Sequence, residues 1–184
     1  MNGINITITD MMNCRDRRVS IQNELISKYD KPVLSFCMNI PGPVKTNEQI
    51  RKAFDSGKAE LLKALSAHNI TILHTEEFHE PSGDELIMAL DAPAEDIKTL
   101  ATEIEESHPL GRLFDMDVIR PDGRKVDREE LQLAGRRCLI CGGPAKVCSS
   151  RRVHPVAELQ ARTTAILTET MDTLDAATAA RQAV

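Results

Sequence analysis

The segment Phe114-Asp115-Met116-Asp117-Val118 alternates strictly between apolar and acidic side chains. Because successive side chains of a β-strand point to opposite faces, this pattern predicts a strand with one buried face and one face that carries both carboxylates. Two like charges side by side on a strand are unfavourable unless a cation or a basic group neutralises them. The alternation therefore predicts a half-covered sheet, with Asp115 and Asp117 as candidate ligands of a metal ion.

The order of the predicted elements indicates how such a sheet is built. Apolar runs predict four strands, and amphipathic patterns predict two helices between them: strands at 32–40, 69–78, 85–90 and 112–120, helices at 47–65 and 94–107. The order strand, helix, strand, strand, helix, strand is that of a ferredoxin-like βαββαβ core in the α+β class. Such a core has helices on one sheet face, so we expect both carboxylates on the opposite, open face.

Helical patterns also flank this core. An apolar stripe predicts an N-terminal helix from Cys14, after an irregular lead-in over residues 1–13, and a second helix follows Pro155. We interpret residues 1–184 as a single domain. Its parts are an α+β core at 14–135, a Cys-rich segment at 136–154 and a C-terminal helix at 155–184.

Composition excludes several classes of protein. The formal net charge of −5 argues against a general nucleic-acid binder, and one Tyr, four Phe and no Trp leave few platforms for base stacking. No segment is apolar for long enough to cross a bilayer, and the first residues lack the features of a signal peptide. Five cysteines, an odd number, fit a reducing compartment. We therefore expect a cytoplasmic protein without nucleic-acid or membrane partners.

Two basic segments are candidate anion sites. The loop Pro41-Gly42-Pro43 and the following Lys45 join a predicted strand to a helix N-terminus, a natural place for a phosphate. The loop lacks the Gly-Lys-Ser/Thr element of a Walker A motif, and a plain connecting turn is the alternative. Arg15 and Arg18 lie in the first turns of the N-terminal helix, where they either face a phosphate-bearing ligand or form a solvated helix start.

The Cys-rich segment has the spacing of a candidate metal site. Cys138, Cys141, Cys148 and His154 are arranged as Cys-x2-Cys-x6-Cys-x5-His, and Cys-x2-Cys followed by Gly resembles half of a zinc knuckle. Four such ligands would form a closed, structural tetrahedral zinc site. Buried free thiols are the alternative, because x6 is not among the commonest spacings and free cysteines are often small core residues.

Four motifs resemble one known family when they are taken together and in order. They are Arg15-Asp16-x-Arg18, Pro41-Gly42-Pro43-x-Lys45, His108-Pro109-Leu110-Gly111-Arg112-Leu113-x-Asp115-x-Asp117, and Arg136-Arg137-Cys138-Leu139-x-Cys141-x6-Cys148. This set resembles the holo-citrate-lyase synthase family (CitX), also called apo-citrate lyase phosphoribosyl-dephospho-CoA transferases. The resemblance runs from Cys14 to His154 and is most specific between Gly111 and Asp117.

The resemblance implies an enzyme that attaches the prosthetic group of citrate lyase. A serine of the apo-acyl-carrier (gamma) subunit would attack the α-phosphorus of 2′-(5″-triphosphoribosyl)-3′-dephospho-CoA, form a phosphodiester and release pyrophosphate. Such nucleotidyl transfer depends mainly on positioning and charge neutralisation. We therefore predict that Asp115 and Asp117 hold Mg²⁺, which clamps the triphosphate.

Other residues of the motifs receive predicted roles in donor binding and proton transfer. Arg112 and Lys45 are predicted to neutralise the pyrophosphate leaving group. His108 is a candidate general base for the serine, with shaping of the turn before Pro109 as its alternative role. The predicted substrate-binding residues are Gly42, Lys45, Gly111, Arg15, Arg18, Arg136 and Arg137.

A different function remains open from the residues alone. A non-catalytic zinc-containing module could dock on the acyl carrier or on the lyase subunits. Stoichiometric zinc without pyrophosphate release would favour that function. An RNA-binding ferredoxin-like domain is disfavoured by the acidic charge and by the missing strand aromatics.

Overall fold

The chain folds into an α+β arrangement of five helices and four strands within its described part. This computed structural model describes residues 3–182, with side chains up to residue 170 and at residue 173. The elements are α1 (Ile8–Tyr29), β1 (Val33–Met38), α2 (Glu48–Ala67), β2 (Thr71–Glu80), β3 (Gly83–Asp91), α3 (Ala94–Ser107), a 3₁₀ turn (Gly111–Leu113), β4 (Phe114–Ile119), α4 (Ala145–Ser150) and α5 (Val156–Gln182). The last two residues of the predicted C-terminal segment lie outside the described range. No described helix has the length and apolarity needed to span a membrane.

The four strands form one antiparallel sheet in the order β2-β3-β1-β4. The central strand β1 pairs with β3 on one side and with β4 on the other, so that Cys37 lies opposite both Glu85 and Asp115. The sequence-based prediction of an α+β protein with an N-terminal helix, a four-stranded antiparallel sheet and a C-terminal helix is confirmed. The strands begin and end within a few residues of their predicted bounds.

The main core lies between the sheet and the helices α2 and α3. The ring of Phe36 stacks on Phe54 with centroids 4.9 Å apart, and it meets Phe114 edge to face at 5.3 Å. Gly57 of α2 faces these rings, and a Cβ atom there would lie 2.7 Å from both Phe36 and Phe114. In β4, burial alternates as the sequence predicts, with Phe114, Met116 and Val118 in this core.

The first helix begins earlier than predicted. The expected irregular lead-in over residues 1–13 is wrong, because α1 starts at Ile8. Thr7 and Asp10 form a capping box, in which the Thr7 hydroxyl accepts from the Asp10 amide and the Asp10 carboxylate accepts from the Thr7 amide. Apolar periodicity alone did not reveal this start, since Ile8 and Met12 are exposed.

The second sheet face is not open, which corrects the expectation for a core with helices on one side. Helix α1 packs on it, and Ile21 and Leu25 form a small apolar cluster with Val33 of β1 and with Ile87 and Ala89 of β3. Burying these apolar side chains stabilises the α1 contact by on the order of 1.5–3 kcal/mol for each large one. Helix α1 covers β1 and β3. The edge strand β4, which carries both carboxylates, lies beside this covered area.

Buried charged side chains of α3 bind the free edge of β4. The Met116 amide donates to the Glu105 carboxylate (2.8 Å), and the Lys98 ammonium donates to the Met116 carbonyl (2.7 Å). Farther along the strand, the Val126 amide donates to the Val118 carbonyl (2.9 Å). An unpaired strand edge exposes polar backbone groups that can pair with other chains, and here these contacts cover it.

We expect Glu105→Ala to lower the free energy of unfolding by about 2–4 kcal/mol, because it leaves the Met116 amide and two arginines without their buried partner. Urea denaturation followed by circular dichroism measures the change. Glu103→Ala is the matched control, since Glu103 lies on the exposed side of the same helix. Equal, small effects of both substitutions would contradict the proposed role of Glu105.

Candidate active site and metal centre

Asp115 and Asp117 leave β4 on the same face and line a cavity of about 340 Å³. Their side chains are 41% and 30% exposed. The Lys125 ammonium lies 2.6 Å from Asp117, and the Arg136 guanidinium lies 3.5 Å from Asp115. Basic groups therefore contact both carboxylates, as the strand argument requires.

Burial and the negative charge of Asp117 raise the pKa of Asp115, while Arg136 and Lys125 oppose this shift. The folded chain thus disfavours two ionised carboxylates at this place unless positive charge balances them. A divalent cation coordinated by oxygen ligands is the kind of ligand that such a pair can bind.

A second cavity of about 520 Å³ adjoins the first and shares Arg136 with it. Four guanidinium groups line it: Arg112, Arg136, Arg137 and Arg152. Leu139, Val156 and Leu159 add apolar surface. The chemistry of this lining suits a ligand with several negative charges and an apolar portion.

Arg112 lies in the 3₁₀ turn rather than on the fourth strand, where it was predicted. Burial and the nearby Arg136 lower the pKa of its guanidinium. It makes no ion pair or hydrogen bond with any group that the structure describes. A half-buried cation that forms no ion pair with a described group, beside a second cation, indicates a place where an anion binds.

Arg136 connects the two cavities. Its guanidinium donates to the Phe114 carbonyl and lies 3.3 Å from Glu105 and 3.5 Å from Asp115. These contacts hold the start of the Cys-rich segment against β4. Arg137, by contrast, turns to its own segment and donates to the Gly142 carbonyl (3.2 Å).

The loop before α2 is packed against other parts of the chain. Gly42 has a φ of +88°, a backbone conformation that favours glycine, and it lies against the side chain of Gln160 in α5. The Lys45 ammonium donates to the Ile40 carbonyl (2.6 Å), and burial together with the nearby Arg15 lowers its pKa. Arg15 is thus close enough to Lys45 for their positive charges to interact.

Arg18 does not face an open ligand site. Together with Arg17, it forms an ion pair with Glu85, a buried carboxylate of β3, which also accepts from the Cys14 thiol. This cluster fastens α1 to the sheet. The sequence analysis did not identify Glu85 as a functional residue. An acidic residue at the start of an otherwise apolar strand is nevertheless a signal, because a buried carboxylate needs a basic partner.

His108 and Gly111 shape the turn before β4. A Cβ atom at Gly111 would overlap carbonyl oxygens at the end of α3, so glycine allows the turn to pack there. The Leu110 amide donates to Nδ1 of His108 (3.0 Å), which leaves Nε2 as the donor to the Ser56 hydroxyl (3.2 Å). The imidazole lies on the Phe114 ring, on the sheet face opposite the carboxylates. The structure therefore does not bring His108 to Asp115 and Asp117.

The Cys-rich segment folds into a cluster of four potential metal ligands. The ligand atoms of Cys138, Cys141, Cys148 and His154 all lie within 4.8 Å of one another. Sγ of Cys141 is 3.6 Å from Sγ of Cys148 and 3.4 Å from Nε2 of His154. The alternative of buried thiols does not describe Cys141, which is exposed. This Cys₃His set could hold a metal ion.

Surrounding groups also suit a metal at this cluster. The Cys138 amide donates to the Gly143 carbonyl (2.7 Å) and closes a tight turn in which Gly142 has a φ of +70°. The Gly143 amide and His154 lower the pKa of Cys141 to about 7, which favours the thiolate. Nδ1 of His154 lies 3.5 Å from Glu158, a common arrangement for a metal-ligating histidine.

We expect the acid sensitivity of the fold to depend on His108. Burial lowers the pKa of its imidazole from the ordinary value of 6.5, so below that pH the unfolded chain binds the proton first. The contribution of the neutral His108 to the free energy of unfolding is therefore fully present above pH 6.5. It is lost as the pH drops toward the lower pKa of the folded state. His108→Asn should flatten this slope in urea unfolding between pH 5 and 8. The exposed His68→Asn serves as the control, and an unchanged slope in His108→Asn would contradict the assignment.

Comparison with known proteins identifies the family of this chain. The family model described as apo-citrate lyase phosphoribosyl-dephospho-CoA transferase matches residues 6–170. A protein of that name from Citrobacter koseri is 33% identical over 162 residues, 88% of each chain. Proteins of the same name from Shigella boydii and Escherichia coli are 34% identical over 164 residues, 89% of this chain and 90% of theirs. The chain belongs to the apo-citrate lyase phosphoribosyl-dephospho-CoA transferase (CitX) family.

Proposed function

We propose that this protein transfers the phosphoribosyl-dephospho-CoA group from 2′-(5″-triphosphoribosyl)-3′-dephospho-CoA to a serine of the apo-acyl-carrier (gamma) subunit of citrate lyase. Family membership supports this reaction. The observation that carries the proposal is the half-buried Arg112, which forms no ion pair with a described group. It lines one cavity together with Arg136, and Arg136 also lines the adjoining cavity of the carboxylate pair.

The two adjoining cavities fit the chemistry of this donor. In our proposal, Arg112, Arg136 and Arg152 neutralise its phosphates, while the apolar surface of Leu139 and Leu159 contacts the rest of the donor. The serine hydroxyl releases its proton to solvent as its oxygen forms a bond to the α-phosphorus, and the bond from that phosphorus to the oxygen that bridges it to the β-phosphorus breaks. Pyrophosphate leaves with the electron pair, and the nearby arginines stabilise its charge.

Mg²⁺ fits the carboxylate pair, because this ion prefers oxygen ligands and is commonly bound by one or two carboxylates together with substrate phosphates. Asp115 and Asp117 would hold it, and when bound it would neutralise charge on the triphosphate. Lys125 and Arg136, which pair with these carboxylates, could then turn to phosphate oxygens.

We also propose that the core is ferredoxin-like. The strand order β2-β3-β1-β4, with α2 and α3 as the connecting helices, supports this assignment. Ile166 and Leu167 of α5 join the same apolar core as the sheet, which supports a single domain.

Zinc is the metal that we propose for the Cys₃His cluster, as a closed structural site. Thiolate ligands require reduced cysteines, which agrees with a cytoplasmic location. A non-catalytic zinc module, the alternative function, shares this cluster with the transferase. That alternative leaves the carboxylate pair and the arginine-lined cavity without a role.

We expect Asp115→Asn and Asp117→Asn to lower transfer by about 100-fold or more, because each removes a ligand for the cation that neutralises the triphosphate. The assay combines Mg²⁺, the triphosphoribosyl donor and the apo-acyl-carrier subunit, and it measures pyrophosphate together with the mass of the carrier. Asp122→Asn, in an exposed turn, is the control. Wild-type rates in both strand variants would refute the role of the pair, and no pyrophosphate from the wild type would refute the function.

We expect about one zinc ion per chain in the purified protein, measured by inductively coupled plasma mass spectrometry. Cys141→Ser should lose most of this zinc, because a hydroxyl is a poor replacement for a thiolate ligand. Cys14→Ser is the matched control, since Cys14 lies outside the cluster and a serine hydroxyl can still donate to Glu85. Zinc retained by Cys141→Ser, or absent from the wild type, would contradict the site.

A further inference from the structure

The short helix α4 and the turn after it lie between the two cavities. Lys146 and Val147 line the carboxylate cavity, whereas Arg152 and Val156 line the arginine-rich cavity. A protein that presents a serine to a donor bound in these cavities must approach across their rims. The segment from Lys146 to Val156 is therefore positioned to contact such a protein.

This segment exposes apolar side chains in close succession. Val147, Val153 and Val156 are 42%, 53% and 54% exposed. Val153 lines neither cavity, so a donor that occupies both cavities would leave it uncovered. Three exposed valines within about ten residues, at the rim of the proposed site, make this segment a candidate contact for another protein.

The charge of the segment differs from that of the rest of the chain. Residues 146–156 contain three of the 23 basic residues, Lys146, Arg151 and Arg152, and none of the 28 acidic residues. Arg151 is exposed and forms no ion pair with a described side chain. Like Val153, it lines neither cavity. The surface thus offers positive charge that neither the fold nor a bound donor neutralises.

We propose that Val147, Arg151, Val153 and Val156 form the docking surface for the acyl-carrier subunit, which would present an acidic face with a small apolar patch. The proposal rests on the proposed function, which names this subunit as the acceptor. A second copy of this chain fits less well, because a symmetric contact would bring the same positive segments together. Charge complementarity therefore favours the carrier.

Arg151→Glu and Val153→Asp test the surface with matched controls elsewhere. Lys63→Glu changes an exposed cation of α2, and Val19→Asp changes a valine of α1 that is 52% exposed. Calorimetric titration with the apo-acyl-carrier subunit gives Kd, and pyrophosphate release with either substrate varied gives the two KM values. Thermal unfolding and zinc content verify that each variant retains its fold and metal cluster.

We expect Arg151→Glu and Val153→Asp each to raise Kd and KM for the carrier by about tenfold or more, with KM for the donor changed by less than about twofold. Both controls should behave as the wild type does. Added salt should weaken carrier binding by the wild type more than by Arg151→Glu, since salt screens the charge that this variant has lost.

Several outcomes would overturn the docking surface. They are an unchanged Kd for the carrier in both variants, equal increases in the two KM values, or equally weak binding by the controls. If Val153→Asp loses zinc, Arg151→Glu decides alone. If the wild type releases no pyrophosphate, the proposed function fails, and the calorimetric Kd for the apo-carrier still decides the surface by the same criteria.

Discussion

The unpaired edge of β4 must find hydrogen-bond partners, and the arrangement of the site follows from how it finds them. Glu105 and Lys98 of α3 bind the amide and the carbonyl of Met116, the residue between the two carboxylates. These two side chains occupy the place that a fifth strand would take at the edge of β4. Asp115 and Asp117 consequently remain beside a cavity. The backbone between them is held by β1 on one side and by Glu105 and Lys98 of α3 on the other.

Glu105 also connects this edge to the rest of the site. It contacts Arg128 and Arg136, and Arg136 stands two residues before Cys138, the first ligand of the Cys₃His cluster. The segment fastened by that cluster supplies Arg137 and other residues of the arginine-lined cavity. In our proposal, a metal bound by this cluster therefore also helps to shape the arginine-lined cavity, although it lies outside the carboxylate cavity.

Local patterns predicted the parts of this structure that depend on near neighbours in sequence. Alternation placed Asp115 and Asp117 on one face of a strand, and the cysteine spacing found four potential metal ligands that the chain folds together. Periodicity could not predict that α1 covers the second sheet face or that Arg18 binds Glu85, because those contacts join residues far apart in the chain. The contacts of His108 could not be predicted for the same reason, since its hydrogen-bond partner Ser56 lies far away in the chain, on α2.

The arginine-lined cavity draws its walls from widely separated parts of the chain, from Asn39 after β1 to Leu159 in α5. The sheet, in contrast, is complete once Ile119 has been added. During synthesis from the N-terminus, the strands of the sheet can therefore pair before the residues that close this cavity leave the ribosome, whereas Ile166 and Leu167 of α5 join the apolar core later. Pairing of the strands and closure of the cavity proposed for the donor are in this way separate events in the life of one chain.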